Sequence, residues 1–227
     1  EGKLTVRVSF RTPISLWEKQ RELVAAEGRG DEWLALGGFK GYADGSLGSS
    51  TAIFFEPYSD APETSGIFAG DMYPEGEMER RIVAADALGF QTSIHAIGER
   101  GNAAILDIYE RVAKANGARD RRLRIEHAQH LRRSDVARFA RLGVVASMQP
   151  FHEADDGRLR APRRVHRGHH RMVDGANEVE QPGSVHFFLV DGTGAAGGGG
   201  FSGRFCTSVT SSRGWYFENS GPGPFTS

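Results

Sequence analysis

Over the first two thirds of the chain, the spacing of hydrophobic residues switches repeatedly between a pattern typical of strands and a pattern typical of helices. Apolar residues alternate with polar ones from Leu4 to Phe10, which predicts a strand that ends before Pro13. Helix-like spacing follows from Ser15, a residue type that caps helices, to Gly28. The chain therefore opens with a strand and a helix.

Apolar runs typical of strands recur without a hairpin signal between them. Further strands are predicted over Leu34–Lys40, Phe90–His95, Arg122–His127 and Val144–Pro150, and helices over Glu77–Leu88, from Asn102 to about Asn116, and from Ser134 to Gly143. Five strands separated by helices indicate a parallel sheet, and the chemistry of such sheets lies at the carboxyl ends of the strands.

A long connection without periodicity spans residues 54–76. It is rich in Pro, Gly, Ser and acidic residues, with aromatic residues at Phe55, Tyr58, Phe68 and Tyr73. Two interpretations stay open at this point: a loop that covers a substrate, or plain surface.

The pattern breaks down beyond Asp156. Residues 157–227 hold 14 of the 30 glycines and show no helical periodicity, although Val185–Val190 is typical of a strand. The glycines of 192–197 match a dinucleotide-binding pattern, but no helix can begin after them to receive a pyrophosphate. We therefore predict an ordered region over residues 1–156 and a Gly-rich, irregular tail over residues 157–227.

Composition narrows the functional classes. Lys and Arg number 28 against 29 Asp and Glu, a formal charge of -1, so there is no electrostatic case for nucleic acid or an anionic membrane. The one cysteine, Cys206, excludes a disulfide framework and indicates a reducing compartment, for which we expect the cytoplasm. No apolar run is long enough to span a membrane, and Glu1 opens no secretory signal.

Histidine ends two of the predicted strands, at His95 and His127. Such strand ends meet at one rim, so both are candidate metal ligands, although a lone histidine there is more often a hydrogen-bonded structural residue. Lys40 closes another apolar strand, where an amine needs a neutralising partner. His169 and His170 stand among arginines and indicate a solvated basic patch rather than a metal site.

Four short motifs occur in order along residues 4–156. They are Lys40 with 43–49 and 51–52, His95–Gly98 with Asn102, Ile125–Gln129, and Ser147–Pro150 with His152 and Asp156. Together they resemble the amidohydrolase superfamily, and within it amidohydrolase family 3, the branch related to N-substituted formamide deformylases.

The resemblance implies an α/β fold: an incomplete (β/α)8 TIM-type barrel of the metal-dependent hydrolase kind, with one or two divalent metals, usually zinc, at its C-terminal rim. It places Lys40 where many members carry a carbamylated lysine, and His95 and His127 at ligand positions. The implied catalytic and metal-binding residues are therefore Lys40, His95 and His127. Zinc lowers the pKa of its bound water towards about 7, and the implied reaction is hydrolysis of a carbon–nitrogen bond other than a peptide bond.

Six further residues are expected to contact the substrate or to orient the ligands. They are Asp44, Glu126, Gln129, Gln149, His152 and Asp156. Solvation of the rim is the alternative for most of them, and a turn-forming Asp–Gly pair is the alternative for Asp44.

The family pattern is incomplete in this sequence. The resemblance implies a strand with a His-x-His motif before Leu4 and a stretch with a catalytic aspartate near the end of the chain, and neither is found in this sequence. The composition of the tail is instead typical of a shifted reading frame or a substituted C-terminus. Two hypotheses follow: a metal-dependent amidohydrolase, or a catalytically inactive barrel fragment that acts as a binding or structural module. The expected partner is a small-molecule amide, with no nucleic acid and no membrane, and a homo-oligomer is left open.

Overall fold

Five parallel strands form the central sheet of the protein. The computed structural model describes residues 5–149 and 151–152, together with the backbone of residues 185–190, 203–211 and 214–217. The strands are β1 (Val8–Pro13), β2 (Leu34–Tyr42), β3 (Gln91–Ala96), β4 (Arg124–His127) and β5 (Val145–Ser147). Each pairs in parallel with the next, in chain order. The predicted α/β fold with a parallel sheet is confirmed.

One α-helix lies in each connection between these strands. The helices are α1 (Trp17–Glu27), α2 (Glu77–Ala87), α3 (Glu99–Asn116) and α4 (Arg133–Leu142), and 3-10 turns occur at Ile14–Leu16 and Gly70–Met72. A chain-ordered parallel sheet with a helix in every crossover is the repeat from which a βα barrel is built. The described residues form five strands of that repeat and not a closed barrel.

The helix starts differ from the predicted ones. Ser15, Asn102 and Ser134 were expected to begin helices, but the helices begin at Trp17, Glu99 and Arg133, and none has a side-chain hydrogen bond at its cap. A capping side chain is worth only about 1 kcal/mol, so the packing of the apolar helix faces decides where each helix begins.

The two faces of the sheet have opposite character, because successive side chains of a strand point to opposite sides. One face buries Phe39, Ile94, Ile125 and Ala146 against the helices. The helices contribute buried side chains that include Met78, Ile82, Leu106, Tyr109 and Phe139. The other face is polar, and the strand register aligns Lys40 with Ser93, Ser93 with Arg124, and His95 with Glu126. This polar face holds the candidate site.

The connection between β2 and α2 builds a small core of its own. Phe54 and Tyr58 are buried there and pack with Ile97, which follows β3. Phe55 and Tyr73 are exposed instead. Part of the predicted aromatic loop is therefore structural, and the exposed part stays a candidate for covering a substrate.

Three segments of the tail form a separate antiparallel sheet, ordered β6 (Val185–Val190), β7 (Gly203–Ser211) and β8 (Gly214–Phe217). The strand predicted at Val185–Val190 is present, whereas the other two were not predicted. Asp156 and the predicted basic patch lie outside the described residues. In the part of the chain that the structure describes, no helix combines the length and apolar character needed to cross a bilayer.

Candidate active site

His95 and His127 lie side by side at the carboxyl edge of the sheet. Their ring centroids are 4.7 Å apart, with the rings inclined at 75°. The register pairs His95 with Glu126 and Ala96 with His127, so the two histidines come from successive positions at the ends of the neighbouring strands β3 and β4. The chain turns sharply after β4, where His127 and Ala128 have φ angles of 72° and 44°, a region that residues other than glycine seldom occupy. The structure thus joins two of the predicted ligands.

A carbonyl oxygen fixes the tautomer of each imidazole. Nε2 of His95 lies 2.8 Å from the carbonyl oxygen of Gly45, and Nδ1 of His127 lies 2.8 Å from Oε1 of Gln149. Because such oxygens only accept hydrogen bonds, each of these ring nitrogens donates and carries the proton. The opposite nitrogens, Nδ1 of His95 and Nε2 of His127, then hold the lone pairs that a metal ion binds.

Burial keeps both imidazoles neutral. It lowers the pKa of His95 to about 4, and although the hydrogen bond to Gly45 opposes this shift, the neighbouring His127 and Lys40 reinforce it. Burial also lowers the pKa of His127 below its ordinary value. Neutral imidazole is the form that binds transition metals, so both side chains are in the metal-binding state at neutral pH.

Lys40 lies on the same polar face, one register layer below the histidines. Burial lowers the pKa of its amine to about 8; Glu126 opposes the shift, whereas Arg11 and Arg124 add to it. Nζ lies 4.8 Å from the ring centroid of Tyr42, and no described carboxylate is within salt-bridge distance of it. The lysine that was predicted to need a neutralising partner is therefore not paired with an acid; its surroundings instead lower its pKa.

Asp44 ties two loops together directly beside His95. Its carboxylate accepts hydrogen bonds from the backbone N–H groups of Ile53 at 3.0 Å, Ile97 at 3.0 Å and Gly98 at 2.7 Å. Oδ1 also lies 3.5 Å from Nε2 of His95, and burial raises the pKa of the carboxyl to about 6 against the effect of these bonds. Because Asp44 is only 2% exposed, its place is to hold the loops and the His95 ring rather than to meet a substrate.

Glu126 is held in an ionised network. Arg124 donates from Nε to Oε1 of Glu126 at 3.0 Å and from Nη2 to Oγ of Ser147 at 2.6 Å. Burial alone would raise the pKa of Glu126, but Arg124, Ser147 and Lys40 outweigh it and hold the pKa below its ordinary value. This carboxylate is consequently a poor proton acceptor at neutral pH.

The remaining predicted residues surround the histidines at differing depths. His152 stacks on His127 with ring centroids 5.4 Å apart, and Gln149 binds the same imidazole. Gln129 is buried in the turn after β4, and Asp156 lies outside the described residues. The structure thus brings Gln149 and His152 to the rim beside the histidine pair.

A pocket of about 380 Å³ opens on the polar face. It is lined by Arg11, Lys40, Ser93, Glu126, His127 and Gln149. Arg11 and Ser93 were not predicted, although one signal was available: Ser93 lies two residues before His95 on one strand, and residues at that spacing share a face.

The side chains at this site supply some, but not all, of the ligands that a zinc ion needs. Two neutral imidazoles with free lone pairs supply two of the three or four protein ligands that such a site uses. In the described ranges, no three His, Cys, Asp or Glu side chains converge closely enough to hold a metal ion. Lys40 adds a ligand only in a deprotonated form, because an ammonium group has no lone pair.

Comparison with known proteins identifies the family. The amidohydrolase family model matches residues 1–177. The chain is 48% identical over 155 residues to Protein LONG AFTER FAR-RED 3 of Arabidopsis thaliana, a match that covers 68% of this chain and 26% of that protein. It is 32% identical over 143 residues to "Putative amidohydrolase YtcJ" of Bacillus subtilis (strain 168), covering 63% of this chain and 25% of that protein. The chain thus spans about a quarter of the length of these curated relatives.

Two crystal structures share the fold. They are uncharacterized metal-dependent hydrolases from Pyrococcus horikoshii OT3 and Pyrococcus furiosus, each 32% identical to this chain with a TM-score of 0.60. The matches cover 70% and 71% of this chain and 31% and 32% of those chains, respectively. With the family model matching residues 1–177, the chain belongs to the amidohydrolase family.

Proposed function

We propose that this protein is a metal-dependent hydrolase that cleaves carbon–nitrogen bonds other than peptide bonds in small amides or formamides. The observation that carries the proposal is the pair of neutral imidazoles, His95 and His127, whose rings lie 4.7 Å apart on neighbouring strand ends. Membership of the amidohydrolase family supports hydrolytic, metal-dependent chemistry. Zinc is the proposed metal, because imidazole nitrogens suit it.

The protein side chains prepare the site. Gly45 and Gln149 each accept one ring proton, so Nδ1 of His95 and Nε2 of His127 keep their lone pairs. A bound divalent metal supplies Lewis-acid polarisation of a carbonyl group and activates a water molecule. His152 stacks on His127 at the rim and limits the rotation of that ring.

Lys40 is proposed as the third metal-site residue. With its pKa lowered to about 8, a larger fraction of the amine is neutral than in an exposed lysine. A neutral amine adds to carbon dioxide and releases a proton, which gives a carbamate with two acceptor oxygens. This is the modification that the family resemblance implies, and it would turn a repelled cation into an anionic ligand.

Glu126 is proposed to balance charge rather than to accept the proton of the attacking water. Arg124 donates to it at 3.0 Å, and its pKa is held below its ordinary value. A general base needs a pKa near the working pH, which Glu126 does not have. The carboxylate instead offsets the positive charge of Arg124.

An amine-release assay tests the proposal. The 227-residue chain is stripped with a chelator, reloaded with zinc and incubated with an N-substituted formamide, a linear amide and a cyclic amide. We expect zinc-dependent release of amine from at least one of them, reduced at least about 10-fold in Lys40→Met, because even the loss of a group that only orients a metal ligand costs about 10–100-fold.

Lys114→Met is the matched control, since the Lys114 side chain is 74% exposed, and it should retain the activity. Amine release that does not need metal, or that is equal in the two lysine variants, contradicts the proposed site. Zinc-loaded protein that releases no amine supports the inactive fragment instead.

A further inference from the structure

The polar face of the sheet carries more positive than negative charge. Arg11, Lys40 and Arg124 act on one another electrostatically, and Glu126 is the one carboxylate that acts on both Arg11 and Lys40. Glu126 is already bound to Arg124 at 3.0 Å. Arg11 is consequently left without a carboxylate partner among the described residues, and burying such a cation is costly unless an anion joins it.

Unused hydrogen-bond donors lie at the same place. Ser93 is fully buried, and its Oγ has no partner within the described structure. Nε of Arg11 is likewise buried without a partner, while Nη2 of Arg11 donates to Oε1 of Gln91, which holds the guanidinium group in position. Ser93 pairs in register with Lys40, so hydroxyl and amine occupy adjacent positions on one face.

Arg11 and Ser93 line one pocket. They share it with Lys40, His127 and Gln149, which belong to the candidate metal site. Its volume of about 380 Å³ falls within the range of small-ligand sites. One small molecule could therefore reach the histidines at the rim and the unused donors at the floor together.

We propose that the floor of this pocket binds a carboxylate group carried by the substrate, through Arg11 and Ser93. This inference rests on the proposed function and narrows its substrate class to amides that bear a carboxylate at the end remote from the scissile bond. A carboxylate fits better than a phosphate dianion, because Glu126 lines the same pocket and repels the higher charge more strongly.

Binding of a matched pair of probes to the metal-free chain tests the inference. Succinamate carries an amide and a carboxylate, and succinamide has the same skeleton without the charge. By titration calorimetry we expect succinamate to bind about tenfold more tightly or better, and the preference to weaken as salt is raised, since hydrogen bonds to charged groups are the strong ones.

Two variants locate the carboxylate. Arg11→Gln should abolish the preference for succinamate, whereas Arg7→Gln should keep it, because the Arg7 side chain is 71% exposed and its ion pair, with Glu32 at 3.5 Å, is exposed too. Ser93→Ala should weaken succinamate binding several-fold without lowering the stability of the free protein, since the lost hydroxyl has no partner. Ser93→Ala carries the test even where Arg11→Gln does not fold.

Equal binding of the two probes, or binding of neither, overturns the inference. So does binding of inorganic phosphate without succinamate, which would identify a free-anion site, and so does equal behaviour of Arg11→Gln and Arg7→Gln. Because the readout needs neither metal nor turnover, its failure is distinct from failure of the proposed function: hydrolysis of neutral amides without preference for the acid would refute this inference alone.

Discussion

His95 shows how the surroundings of a single residue set its chemistry. The carbonyl of Gly45 fixes the proton on Nε2 at a distance of 2.8 Å, and burial disfavours a second proton on the ring. Asp44 lies 3.5 Å from the same nitrogen, but three backbone N–H groups already engage its carboxylate. The ring is therefore oriented by its neighbours without being charged by them.

The protonation of His95 is directly measurable. Burial lowers its pKa to about 4, so nitrogen NMR of the imidazole should show a neutral ring with the proton on Nε2 down to about pH 5.5. The unfolded chain takes up this proton near pH 6.5, so the unfolded state binds more protons between these values. The stability that His95 contributes is then complete above about pH 6.5 and is lost as the pH falls towards 4. Titration near pH 6.5 in the folded protein would contradict the buried, neutral ring.

At the scale of elements, the sequence predicted the strands more accurately than the first residues of the helices. Alternating and continuous apolar runs indicated all five parallel strands, although the first one spans Val8–Pro13 rather than Leu4–Phe10, and Val6 and Phe10 of the alternating run are exposed. Ser15 and Ser134 misled the assignment of helix starts, since a capping preference is small beside the packing of Trp17 or Phe139. The strands β7 and β8 carry a pattern too weak to have been recognised.

The turn between β3 and α3 depends on close backbone approach. A Cβ at Gly98 would overlap the carbonyl oxygen of Ile53, whereas a Cβ at Gly48 would meet open space. The backbone of Gly98 and the carbonyl group of Ile53 cannot move apart freely. Gly98→Ala should therefore lower the free energy of unfolding by about 3 kcal/mol, which is at the upper end of the cost of overpacking. Gly48→Ala should change it by less than about 0.5 kcal/mol, the usual size of a surface substitution. Urea unfolding followed by circular dichroism measures both, and equal costs would show that the turn is not tightly packed.

At the scale of the whole molecule, the sequence located part of the site and missed the rest. His95, His127 and Lys40 were recognisable because each ends or nearly ends an apolar strand. Arg11 and Ser93 were not, because the register of β1, β2 and β3 places them on the same face as Lys40, and no single stretch of sequence contains that register. The closure of the barrel was an inference from resemblance, and the described sheet has five strands in chain order.

Metal content per chain tests the central claim most directly. Elemental analysis of purified, desalted, monodisperse protein should find about one equivalent or more of zinc in the wild type and none in a His95→Ala, His127→Ala double variant, because the two lone-pair nitrogens are removed. A His169→Ala, His170→Ala double variant is the control for binding at the predicted basic patch, and it should keep its zinc. Wild-type protein that is free of metal, or equal zinc in the wild type and the His95, His127 variant, would contradict a metal site at this edge of the sheet.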